Sequence, residues 1–210
     1  MFSMPQGFNV ILILIFITGC FSIFCFNSDI RKAKLTFFPY RIKRNNEITR
    51  IISHIFIHAD FQHFAFNMLS VYFLGSFLED QWRHEFGPEG GAVHILVLYL
   101  LGGIFATGYI YVKQQDNIMY QSLGASGAVS AVIFAAILWY PTMELGLFFI
   151  PVPIPAFIFG PLYLLIEYLA MKRGTSGIAH EAHIGGALFG ILYVTLLEPT
   201  KLITFIELIL

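Results

Sequence analysis

The chain predicts an all-α polytopic membrane protein built as a six-transmembrane-helix bundle, and three observations predict it. Of its 210 residues, 57% are hydrophobic and only 12% charged, with a mean hydropathy of +0.74. A soluble domain keeps about a quarter of its residues charged, so this chain cannot cover itself with polar surface. Six stretches approach the roughly 20 mostly apolar residues that cross a bilayer as a helix. All connections but the first are short, which makes successive helices antiparallel. Residues 1–210 read as one membrane domain.

The first span is placed at residues 8–26. Ile17-Thr18-Gly19-Cys20 resembles a lipoprotein cleavage box, but residues 1–19 hold no Lys or Arg. The basic region of a signal peptide is missing, and the segment is read as a span. Residues 27–60 form the one long connection, mixing Arg31, Lys32, Lys34, Arg41, Lys43, Arg44 and Arg50 with Phe37, Phe38, Ile51, Ile52, Ile55 and Phe56. That mixture suits a segment lying in the membrane interface. The second span, 61–78, carries Gln62, His63, Asn67 and Ser70; the third and fourth follow at 92–112 and 123–140. Pro151, Pro153 and Pro155 predict an irregular approach to the fifth span at 156–171, and the sixth is 179–197. No internal repeat is present.

Charge and cysteines narrow the function. A net charge of −1 offers no basic surface for nucleic acid. Cys20 and Cys25, five apart on one helix, face different ways and predict no disulfide.

A serine and a histidine inside apolar runs are costly unless buried in protein, wetted or reactive. Ser126 stands between Gly124 and Gly127 near the start of the fourth span, where free N–H groups and a partial positive charge favour an oxyanion. His183 lies one turn into the sixth span, followed by Gly186 and Gly190, a small-residue seam for close helix packing. On the second span, His63 and Asn67 share a helical face and donate hydrogen bonds without obligatory charge, as an oxyanion hole requires. The plainer readings are a satisfied interface histidine, a packing seam and polar glue between helices. Metal chemistry is the other use for His54, His58, His63, His180 and His183. In His180-Glu181-Ala182-His183 the histidines are three apart rather than the four of a zinc-peptidase helix, and no cysteine or carboxylate cluster adds ligands. Neither a metal nor another cofactor is expected.

Taken together, these motifs resemble those of the rhomboid intramembrane serine proteases, from about residue 39 to 190 and in family order on spans two, four and six. The resemblance implies a six-helix rhomboid-like bundle, with Ser126 as nucleophile and His183 as general base and acid. His63, Asn67 and the Ser126 N–H would hold the oxyanion, while His58 and Arg50 would support the first loop. Gly124, Gly127, Gly186 and Gly190 would support the site. Its partners would be the lipid bilayer and single-span or polytopic membrane-protein substrates.

Two positions depart from the family pattern. Thr49-Arg50 stands where Trp-Arg is usual, and Ser130 where some members place an aromatic against the histidine. No acid visibly completes a triad: Glu181 points off the face of His183, and Glu167 is the one acid well within a span. Ten Lys and Arg lie on the side of the first, third and fifth loops against Arg83 and Lys201 on the other. The positive-inside rule would make that richer side cytoplasmic. The resemblance instead places it, with the active-site mouth, on the extracytoplasmic face of a bacterial inner membrane, and that orientation is adopted. The alternatives are an inactive rhomboid-like client binder and, lacking a charged midplane pathway, a transporter.

Overall fold

The helix that carries Ser126 is buried along nearly its whole length. The structure, a computed structural model, describes residues 9–147, 150–174 and 179–210. In chain order its helices are α1 (Val10–Phe26), α2 (Asp29–Leu35), α3 (Pro39–Asn45), α4 (Arg50–Ser53), α5 (Phe61–Ser70), α6 (Ser76–Gln114), α7 (Ser126–Trp139), α8 (Ala156–Arg173), α9 (His180–Leu197) and α10 (Thr200–Ile209). All of α7 is buried except Ser126 and Ile133. Its interior has neither Pro nor Gly beyond Gly127, and alanines at 128, 131, 135 and 136 let neighbours approach on every side.

Two contacts fix α9 against α7. A Cβ on Gly186 would lie 2.0 Å from the Gly127 carbonyl oxygen, and one on Gly190 would lie 2.2 Å from that of Ala131. Both pairs advance by four residues in the same direction, so the two helices run parallel, with α9 beginning about five residues before the level at which α7 starts. From α6, Gly102 meets Ala131 and Ala106 meets both Gly127 and Gly185. Small residues thus join three backbones, the packing that replaces a hydrophobic driving force in lipid. Outer faces carry exposed Phe16, Phe105, Leu165, Ile166 and Leu192, an apolar surface suited to acyl chains.

Helices stand over all six predicted spans, with three corrections. Among the described residues, Phe61–Gln114 and His180–Leu197 are individually long and apolar enough to cross a membrane, while Val10–Phe26 and Ser126–Trp139 are shorter apolar helices. The second span does not stop at residue 78: it passes through a π-helical segment (Val71–Gly75) into α6, and the break falls at Gly87, with φ 79° and ψ 165°. Pro88 disfavours helical backbone in the residue before it, and glycine accepts the positive φ. Before α8 the chain forms an antiparallel hairpin, β1 (Glu144–Leu147) with β2 (Ile150–Pro155). Prolines at alternate positions of β2 put their missing N–H groups on one edge, which a two-stranded sheet leaves unpaired.

The seam makes a direct prediction. Gly190→Val should lower the stability of the detergent-purified protein by about 3 kcal/mol or prevent its accumulation. Gly108→Ala, whose added Cβ meets nothing within 4 Å, should unfold at or slightly above the wild-type temperature. Equal thermal midpoints for Gly190→Val and wild type would refute the packing argument.

Candidate active site

The first loop grips the turn that leads to Ser126. Phe37 and Ser122 exchange backbone hydrogen bonds of 2.9 and 3.1 Å, and the Gly124 N–H donates to the His54 carbonyl at 3.0 Å. The Ala125 N–H donates to His58 Nε2 at 3.3 Å. His58 Nδ1 then carries the proton and donates to Ser22 Oγ at 2.9 Å, leaving the serine hydroxyl to donate to the Phe56 carbonyl at 3.2 Å. His58 therefore ties α1 to the turn. Gly124 has φ +122°, and a Cβ there would fall 2.7 Å from the His63 ring, so the glycine is required twice over.

Arg50 secures the loop itself. Its buried guanidinium donates to the Ala33 and Thr36 carbonyls at 2.6 and 2.8 Å and to Glu47 at 2.5 Å. Residues expected to lie along the interface instead form α2, α3, α4 and a 3₁₀ turn, with Phe37 and Ile55 almost wholly buried.

An open cavity of about 1130 Å³ collects the predicted chemistry: His63, Asn67, Ser126, His180 and His183 all line it. Its wall includes Lys32, Ser122 and Gly174, from the first, third and fifth connections, so it opens on their side. Ser126 is the first residue of α7, and the first-turn N–H groups of a helix lack intrahelical acceptors. The Asn67 amide donates one proton to the His63 carbonyl at 2.8 Å, which leaves its second proton for another acceptor. The His63 ring packs edge-on against His58 at 4.9 Å between centroids.

Glu167 is the residue that sequence reasoning left out of the site. From α8 its Oε2 lies 2.6 Å from His180 Nδ1 and its Oε1 lies 3.1 Å from His183 Nδ1. The latter is a close approach without a hydrogen bond: His183 Nδ1 is buried and lacks one. The available signal was the isolation of Glu167 among apolar residues, where a carboxylate needs a partner. Ser130, placed where an aromatic was expected, has its hydroxyl 3.2 Å from that of Tyr163, one turn before Glu167 on α8. The donor atoms of Glu167, His180 and His183 lie within 4.8 Å of one another, a grouping able to hold a cation. The 2.6 Å separation, however, is that of a direct hydrogen bond, shorter than the about 3.3 Å between two ligands on a tetrahedral zinc.

A family model for the Rhomboid domain matches residues 45–200, most of the chain. The chain belongs to the rhomboid family. It is 28% identical over 159 residues to RHOMBOID-like protein 12, mitochondrial, of Arabidopsis thaliana, covering 69% of this chain and 45% of that one. It is 31% identical over 159 residues to the bovine (Bos taurus) presenilin-associated rhomboid-like protein, mitochondrial, covering 72% and 40%. With Rhomboid protein 1, mitochondrial, of Saccharomyces cerevisiae the identity is 28% over 147 residues, covering 68% and 40%. The matches thus span under half the length of these relatives. All three are named as mitochondrial, which runs against the bacterial inner membrane expected from the sequence.

The loop histidines set an acid limit on folding. Burial pushes His54 down to about 4, and burial with the neighbouring His63 pushes His58 down to about 3. Both are neutral when folded yet take up a proton near pH 6.5 when unfolded. Stability is therefore complete above about pH 6.5, and below it each histidine removes about 1.4 kcal/mol per pH unit. The thermal midpoint should fall steeply from pH 6.5 to 5, and less steeply in His54→Phe; a flat profile in wild type would contradict these assignments.

Proposed function

We propose that the chain is an intramembrane serine endopeptidase that cuts membrane-spanning segments of other proteins with a Ser126–His183 dyad. The observation that carries this reading is the convergence of Ser126, His183, His63 and Asn67, from three separate elements, on one open cavity. Family membership supports it, since rhomboids include serine proteases of this kind.

In the proposed reaction, neutral His183 accepts the Ser126 hydroxyl proton at Nε2 as Oγ bonds to a peptide carbonyl carbon. The resulting oxyanion accepts hydrogen bonds from the Ser126 N–H, His63 and the remaining Asn67 N–H. His183 returns the proton to the amine nitrogen as the C–N bond breaks, and water then attacks the acyl-enzyme under the same base. A helical client must unwind to present its carbonyl, so clients with helix-weakening residues near the cut are favoured. The mouth lies on the side of the first, third and fifth connections, and the chain sits in the membrane as a multi-pass protein.

Purified wild type should cleave a single-span substrate in detergent or lipid and react with a fluorophosphonate at Ser126. Ser126→Ala and His183→Ala should both abolish cleavage, and Asn67→Ala should lower kcat by about 100-fold. Undiminished cleavage by Ser126→Ala would reject the enzyme in favour of an inactive rhomboid-like client binder.

A further inference from the structure

We infer that Glu167 is the positioning residue of His183, with His180 pinning the carboxylate, so that the dyad works as a Ser126–His183–Glu167 triad. The inference rests on the protease reading above and deepens it.

The first support is orientation. A base that takes a proton at Nε2 must carry its own proton at Nδ1, and a group facing Nδ1 decides which tautomer and ring angle prevail. His183 Nδ1 is buried without a hydrogen bond, and the Glu167 carboxylate oxygen stands 3.1 Å from it. Reorientation of the imidazole at this 3.1 Å contact would give an N–H···O bond. Catalytic hydrogen bonds commonly tighten in this way when substrate binds. This reorientation leaves Nε2 on the opposite edge of the ring.

The second support is the care with which Glu167 is held. Its carboxylate lies inside the run Leu164-Leu165-Ile166-Glu167-Tyr168-Leu169, where a charge is expensive. Two imidazoles three residues apart on α9 share its two oxygens, His180 at 2.6 Å and His183 at 3.1 Å. Tyr163, one turn earlier on α8, interacts with the same carboxylate while its hydroxyl lies 3.2 Å from that of Ser130 on α7. Ser130 is itself one turn beyond Ser126. The network therefore links α7, α8 and α9 around the base.

During attack the Ser126 proton moves to His183 Nε2, and the Nδ1 proton stays on the ring. Glu167 remains a carboxylate, stabilising the imidazolium without accepting its proton. When the amine departs it takes the proton from Nε2, and the ring returns to the starting tautomer.

Glu167→Ala, Glu167→Gln and Glu167→Asp should be compared with wild type for kcat, KM, the fluorophosphonate labelling rate of Ser126 and the thermal midpoint. We expect Glu167→Ala to lose about 100-fold or more in kcat and in labelling rate, with KM changed less than about twofold. Glu167→Gln, which keeps an acceptor but not the charge, should fall between Ala and wild type, and Glu167→Asp should recover part of the loss. If Glu167→Ala does not accumulate, the ranking of Gln and Asp decides, because both preserve polarity and near-native volume. Wild-type kcat in a folded Glu167→Ala or Glu167→Gln, or losses that track the midpoint without separating kcat from KM, would overturn the inference. Loss of wild-type activity on chelation would overturn it in favour of a cation held by Glu167, His180 and His183. Cleavage that survives Ser126→Ala marks failure of the protease reading itself, whereas a dead Ser126→Ala beside a fully active Glu167→Ala isolates the failure to Glu167.

Discussion

The backbone contact between α7 and α9 is the constraint on which the rest depends. Gly127 with Gly186, and Ala131 with Gly190, bring carbonyl oxygens where side chains would otherwise stand. Lipid tails are as apolar as leucine, so close van der Waals fit and not exclusion from water holds such helices together. Because the paired positions advance together, the fit also sets register. Ser126 at the first residue of α7 and His183 in the first turn of α9 come to one level by that register. A shift of one residue would rotate His183 by about 100° around its helix and take it away from the cavity. Ala106 of α6, wedged against Gly127 and Gly185, blocks such sliding from a third side.

Around this seam, three buried polar side chains are matched to backbone groups that would otherwise lack a partner. Glu79 accepts from the Val10 and Ile11 N–H groups at the start of α1 while pairing with Arg83 one turn on. Arg50 supplies donors to the carbonyls that end α2. His58 accepts the N–H of Ala125 immediately before the nucleophile. An unpaired buried group costs far more than a paired one contributes. These residues thus act mainly by excluding other arrangements of the loop, and the turn at 122–125 inherits its shape from them.

What the sequence revealed and what it concealed divide along physical lines. Helix locations were legible because an apolar run of span length is a one-dimensional signal, and α1, α7, α8 and α9 start within a few residues of their expected positions. The end of the second span was not, because Glu79, Asp80, Arg83 and Glu85 depress local hydropathy. The helix continues there since two of those charges satisfy each other four residues apart. The prolines before α8 advertised a break in helix, but whether that break becomes a loop or a strand depends on pairing with the segment Glu144–Leu147. Loop one held apolar residues that suit an interface and a core equally; only contact with the turn at Ser122 separates the two. Glu167 was visible as an isolated acid, yet its partners stand 13 and 16 residues further along, on another helix, and no spacing rule connects them.

Depth is the consequence that ties the seam to chemistry. At about 1.5 Å per residue, the 14 residues of α7 rise about 21 Å, less than the roughly 30 Å of a bilayer core. A helix wholly surrounded by protein has no need to match lipid thickness, so α7 is free to begin below the membrane surface. The cavity beside Ser126 is open toward the loops. The hydrolysis proposed above would use both features at once, since its scissile carbonyl would arrive from lipid and its second nucleophile from water. His63, Asn67, His180 and His183 line that open cavity, with Glu167 held against the two α9 histidines, and the apolar residues of the outer faces are left to the lipid. A short central helix walled by longer α6, α8 and α9 therefore reconciles a polar site with a chain in which charge is scarce.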